Sequence, residues 1–340
     1  MFNVHEVKST IERDQYGFTQ KLISFINETN APPPESEILV NLIEQAYKNS
    51  CLESQKIVQN ALFLIYQTNL AHPLSHAASF QHNATLSYFR DLIEEHWLAH
   101  EFKETNNIQF DEQKYSQRLI HLWKNHQASH HGIFDFLESE ATPEQLYLFL
   151  KSDSALNLIF FDLVAYTLIG AQPETRGTIS ENLWDEIGHG DNYFTHVNLY
   201  KDVLARRDIA LPDNHHIDLY GPDALSGHNA FMLGAINRKH YYKLLGVMAM
   251  TEVLDPPQYT KLVKGCLRLG LLDKDVHYYS EHITIDIKHG DDWLYKVIDI
   301  IAEKHPDSKR EFYLGCILRL NTAERYYDNL LNEMLKLKEL

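Results

Sequence analysis

The sequence predicts an all-α fold. Apolar residues recur three and four positions apart along most of the chain, as in Leu39, Leu42, Ile43, Ala46 and Tyr47, and again in Leu245, Val247 to Met250 and Val253. No run alternates with the two-residue period of a half-buried strand, and the Asn-Gly and Asp-Gly dipeptides of tight hairpins are absent.

Taken in order, the first break is Pro32-Pro33-Pro34, which separates a helical stretch over 8–30 from a helix starting near Ser36. Polar stretches at 72–84 and 104–110 interrupt the next helices. Thr142-Pro143-Glu144-Gln145 reads as an N-cap with proline at the first helical position. The polar loop from Ala171 to Thr178 leads into a helix over 179–207. Pro212, Gly221, Pro222 and Gly227 mark a loop over 209–227. A long helix over 228–254 should stop at Asp255-Pro256-Pro257. Further helices are expected over 258–269, 273–288, 292–304, 307–319 and 322–338. A boundary near residue 110 divides the chain into an amino-terminal helical accessory region, 1–110, and a domain over 111–340 that holds the residues discussed below.

Composition narrows the function. Apolar residues make up 44% and charged residues 23% of 340, an ordinary globular balance with ample core. The formal net charge of −16 repels phosphate backbones and anionic lipid, so neither nucleic acid nor membrane is expected as a partner. Three cysteines, Cys51, Cys266 and Cys316, stand far apart, which fits a reducing compartment and offers no Cys-x-x-Cys pair. With no signal-peptide pattern after Met1, the expectation is a cytoplasmic protein. Twenty histidines are many, and only their placement carries meaning. Those of the amino-terminal half, among them His72, His76, His82, His96, His126 and His131, are expected at surfaces and helix ends.

Three segments carry candidate chemistry. In His282-Ile-Thr-Ile-Asp286-Ile-Lys-His289, positions i, i+4 and i+7 fall within roughly 60° on one helix face. Two imidazoles and a carboxylate so placed suit a divalent metal, although a polar surface stripe has the same spacing. In Glu186-Ile-Gly-His189-Gly-Asp-Asn-Tyr-Phe-Thr-His196, periodicity pairs Glu186 with His189, because His196 lies about 80° away on an ideal helix. Gly188 and Gly190 signal a kink, and an exposed acidic helix with incidental histidines also fits. Glu252 follows the apolar run Leu244 to Met250; it is either a costly buried acid with a partner or the exposed end of a helix before Pro256.

These segments resemble the haem-oxygenase-like iron-containing redox enzymes. Glu186-x-Gly188-x-Gly190 followed by five residues and His196 is similar to their E-x-G-x-G-x5-H signature, Glu252 follows an apolar helix, and His282, Asp286 and His289 match H-x3-D-x2-H. The resemblance covers roughly 115–305 and implies a haem-oxygenase-like helical bundle with a non-haem di-iron centre. It assigns Glu186, His196, Glu252, His282, Asp286 and His289 as ligands and takes His196 over His189. Two Fe2+ ions in the reduced state, dioxygen as co-substrate, an external electron donor and a small-molecule substrate follow from it. The chemistry it implies is N-oxygenation, hydroxylation or C–C cleavage of an amino-acid- or fatty-acid-derived compound. A homodimer is the expected prior for a bundle of this size.

Two other readings compete. A haem-binding oxygenase needs one proximal histidine and has no use for three carboxylates on facing helices. A non-enzymatic scaffold would place its function in residues 1–110 and treat the six as buried polar pairs. A ferritin-like centre calls for Glu-x-x-His twice, and Glu186-Ile-Gly-His189 is the single match.

Overall fold

A computed structural model describes residues 17–105, 114–211 and 217–337. In chain order its α-helices are α1 (Phe18–Asn27), α2 (Ser36–Tyr47), α3 (Leu52–Gln67), α4 (Ala84–Glu101), α5 (Tyr115–Asn125), α6 (Gly132–Ser139), α7 (Pro143–Asn157), α8 (Phe160–Leu168), α9 (Arg176–Glu186), α10 (His196–Arg206), α11 (Pro222–Ile236), α12 (Tyr241–Arg268), α13 (His277–Asp291), α14 (Asp299–Lys304) and α15 (Ser308–Leu337). Among the described residues there is no strand, and the fold is all-α. None of these helices is long and apolar enough to cross a membrane.

Contacts divide the chain into two compact units: Met1–Ile108 with Asn214–Met232, and Gln109–Asp213 with Leu233–Leu340. In the first unit, the Pro32-Pro33-Pro34 break separates α1 from α2, and α3 packs against α1, α2 and α4. Phe18, Leu22, Leu42, Val58, Leu62 and Phe89 are buried there. The Asn83 side chain caps α4 by accepting from the backbone N–H of Thr85 and Leu86. Asn229, from the segment that groups with this unit, donates to the carbonyl and side-chain oxygens of Gln59.

The second unit is built around α12, which packs against α6, α13 and α15. Glycine permits the closest of these approaches: a Cβ at Gly246 would overlap the Phe312 carbonyl oxygen, and one at Gly315 the Lys243 carbonyl oxygen. Thr142 opens α7 with a reciprocal capping box, its hydroxyl accepting from Gln145 N–H while the Gln145 side chain accepts from Thr142 N–H. His126 and His131 serve as side-chain caps, each accepting from the backbone N–H two residues on.

Several helix boundaries differ from expectation: the helix expected over 179–207 is broken between α9 and α10, and α11 begins at Pro222, inside the loop expected over 209–227. The helix expected over 228–254 is two, α11 and α12, and α12 runs on through Pro256 and Pro257 to Arg268. The prolines withhold the N–H groups that the Glu252 and Val253 carbonyls would otherwise take, but packing on three neighbouring helices outweighs two adjacent missing bonds. The expected pair over 307–319 and 322–338 is one helix, α15, because no proline or glycine stands between its halves and its buried face continues through Leu320 and Thr322. After α13 the backbone widens into a π-turn over Asp292–Ile298 before α14.

The close approach of α12 and α15 yields a stability test. Gly246→Ala is expected to destabilise the protein by about 1–3 kcal/mol, since the new methyl meets backbone that cannot yield locally. Gly177→Ala, at an exposed position in α9 with open space around the new methyl, should instead stabilise it by up to about 1 kcal/mol. Urea unfolding of the two variants reads the difference, and equal midpoints would count against the packing argument.

Candidate metal centre

Glu186 is the last residue of α9, and His196 the first of α10. Two short 3₁₀ turns, Gly188–Gly190 and Asn192–Phe194, fold the intervening chain back on itself. Gly188 has φ of 59°, and a Cβ there would overlap the Phe194 backbone, so glycine is required on both counts. Thr195 then caps α10 by accepting from Asn198 N–H. The helix thus ends before its period could bring His189 beside Glu186, which is why the periodic pairing fails. His189 itself is turned outward, its side chain 65% exposed, with Nε2 2.7 Å from Asp185 Oδ1.

Glu252 lies in the interior of α12, not at a helix end, and is buried there. Asn182 of α9 donates Nδ2–H to its Oε1 at 3.1 Å. His282, Asp286 and His289 share the inward face of α13, while Ile287 between them is exposed. All six residues are between 2% and 4% exposed.

They form two groups of three. In one, Glu186, His196 and His282 bring a ligand atom each to within 4.8 Å of one another; in the other, Glu252, Asp286 and His289 do the same. His196 Nδ1 lies 2.9 Å from Glu186 Oε2, yet makes no directed hydrogen bond. His289 Nδ1 stands 3.5 Å from Glu252 Oε2 and 3.6 Å from Asp286 Oδ1 and likewise has no hydrogen-bond partner. Two buried imidazole nitrogens turned toward carboxylates form an arrangement that suits a metal ligand set.

The far nitrogens are occupied. His282 donates Nδ1–H to the Tyr278 carbonyl at 2.6 Å, leaving Nε2 as its ligand nitrogen. His289 Nε2 is 2.8 Å from Asp185 Oδ2. Such outer partners fix the tautomer and orientation of a ligating histidine. Asp185, Asn182 and the Tyr278 carbonyl were not legible in the sequence as parts of this site. Asp185 adjoins Glu186, but neither helical spacing nor the signature singles it out.

The electrostatics follow from the crowding. Burial opposes charge on His289, but Asp286, Glu252 and Asp185 outweigh it and raise its value to about 11 in the metal-free chain. Burial, with His196 adding to it, lowers His282 to about 3 and keeps that imidazole neutral. For His196 burial works downward, and the Glu186 carboxylate more than reverses it. Asp185 is raised by burial but held below the usual carboxylate range by its contacts with His289 and His189. Three buried carboxylates with neutral imidazoles beside them would offset most of the charge of two divalent cations.

Two predictions follow from the His289 surroundings. Asp185→Asn should weaken divalent-metal binding at the Glu252–Asp286–His289 group by about 10–100-fold, read by competition against a chromophoric chelator. The protonated form of His289 stabilises the metal-free chain fully below the ordinary value of 6.5, and that contribution is lost as pH rises through about 11. A metal must displace this proton, so affinity should climb by about tenfold per pH unit between pH 7 and 9. A flat profile would show that His289 does not ligate.

Comparison with known proteins identifies the family. The family described as iron-containing redox enzymes matches residues 148–324. A curated relative, 4-chloro-allylglycine synthase of Streptantibioticus cattleyicolor, is 27% identical over 213 residues, which are 59% of this chain and 78% of the relative. The family match takes in just over half of the chain and all six converging residues, and on that ground the chain belongs to the iron-containing redox enzymes.

Proposed function

We propose that the protein is a non-haem di-iron oxidoreductase that uses dioxygen to oxidise a small, amino-acid- or fatty-acid-derived molecule. The observation that carries this reading is the pairing of two buried three-ligand groups, each mixing carboxylate and imidazole, with an orphaned imidazole nitrogen in each. Such hard and borderline donors suit iron, and a group of three leaves coordination positions open. Iron held there would supply electrons to dioxygen and oxidising power toward a substrate C–H, C–C or N–H bond.

The chain's own residues do the holding and shielding. Glu186, His196 and His282 would keep one ion, and Glu252, Asp286 and His289 the other. Asp185 and the Tyr278 carbonyl hold two of the imidazoles in one tautomer. Asn182 orients Glu252. Helices α9, α10, α12 and α13 exclude bulk water from both groups, whose members are almost wholly buried. An external electron donor is part of the proposal, because repeated turnover must return the iron to its ferrous state. The relative's name, that of an enzyme making a chlorinated allylglycine, supports an amino-acid-derived substrate.

The test is metal content after anaerobic reconstitution with ferrous iron and desalting. About two iron ions per chain are expected in the wild type, and about one in either Glu186→Ala or His289→Ala, because each variant spoils one group. Negligible iron in the wild type would overturn the reading.

A further inference from the structure

The turn between α9 and α10 carries a side chain that neither the turn nor the ligand groups account for. His189 stands between Gly188 and Gly190, and the three have φ of 53°, 59° and 86° respectively. Glycine adopts such a backbone freely, whereas a residue with a Cβ does so at a cost. A third glycine would build the same turn with less strain, so the turn alone does not call for an imidazole there.

Burial does not explain it either. The His189 side chain is 65% exposed, and a surface ion pair of the kind it makes with Asp185 contributes little to stability. Trp184, half exposed, lies beside it with ring centroids 6.1 Å apart. Gly190 leaves room for that indole, since a Cβ there would come within 3.2 Å of its ring. The left-handed backbone and the indole together limit where the imidazole can reach, and it reaches Asp185.

Asp185 accepts from His189 Nε2–H on Oδ1 at 2.7 Å and from His289 Nε2–H on Oδ2 at 2.8 Å. Two hydrogen bonds therefore connect an exposed imidazole to one that is 2% exposed. A carboxylate held at one oxygen turns easily about its last torsion, which is broad for aspartate. A donor on each oxygen fixes its plane. With that plane fixed, Oδ2 stays on His289, whose other nitrogen faces Glu252 and Asp286. In the other group His282 takes its support from the Tyr278 carbonyl instead.

We propose that His189 is a positioning residue for the metal centre. By fixing the Asp185 carboxylate it holds His289 in its ligating orientation, and so sets the metal affinity of the Glu252–Asp286–His289 group but not of the Glu186–His196–His282 group. That these groups bind metal rests on the function proposed above; how one of their histidines is held is the new claim.

The experiment is a cobalt(II) titration of the full chain, followed by the visible absorption of the bound ion. It is run on the wild type and in two backgrounds that each retain one group: His196→Ala keeps the group containing His289, and His289→Ala keeps the other. In the first background His189→Gly should weaken cobalt by about three- to tenfold, the effect of one lost hydrogen bond. Glycine takes the left-handed backbone without strain, so this variant keeps the turn. His189→Gln, which retains a side-chain N–H donor, should recover most of the loss. In the second background His189→Gly should leave affinity within about twofold. Once Asp185→Asn is in place, adding His189→Gly should change nothing further, because it acts through that carboxylate. Unchanged affinity in the His196→Ala background would overturn the inference. So would an equal loss in both groups or a loss additive with Asp185→Asn, either of which would make His189 a general support of the turn. The two proposals fail differently: wild type that binds no cobalt overturns the metal-centre reading and this inference with it, whereas cobalt bound with an affinity indifferent to His189 overturns this inference alone.

Discussion

Three carboxylates and three imidazoles, each almost wholly buried, are gathered where α9, α10, α12 and α13 meet, and the surrounding fold is organised to tolerate that cost. An uncompensated buried carboxylate is expensive, and three within reach of one another are more so. In the metal-free chain His289 carries part of the compensation as an imidazolium held between Asp286, Glu252 and Asp185. A pair of divalent ions would replace that proton with far more charge, which ties the stability of this region to metal occupancy.

Holding such a site in register calls for rigid supports, and α12 is the main one. It packs against α6, α13 and α15, and the opposed Gly246 and Gly315 let two backbones approach where any larger residue would separate them. That contact sets the depth at which Glu252 meets α13 and also brings Arg319 of α15 against α12, where its Nε–H donates to Thr251 Oγ1.

The loop between α9 and α10 solves a different problem. Glu186 and His196 lie ten residues apart, a spacing that a continuous helix would leave on different faces. Three successive residues with positive φ, Gly188, His189 and Gly190, end the helix and restart it at His196. Only at such a reversal do a helix's last residue and the next helix's first point to a common centre. It also turns His189 outward, where it binds Asp185 from the side opposite His289.

Much of this was legible without coordinates. Helical periodicity identified the fold class, Thr142-Pro143 the start of α7, and one face of α13 the set His282, Asp286 and His289, because a regular helix maps spacing directly onto direction. Where the chain leaves regular geometry, spacing lost its meaning. It favoured His189 over His196, a choice reversed only by resemblance to a family signature, since three positive φ values have no trace in a periodicity count. It ended a helix at Pro256, although packing on three neighbours carries α12 onward and leaves Glu252 in a helix interior. Asp185 and Asn182 were beyond sequence reading altogether: their surroundings are assembled from helices far apart in the chain. Sequence alone determined which segments are helical and which donor types they carry; tertiary structure decided which donors meet, because that depends on backbone reversals and helix contacts that no local pattern encodes.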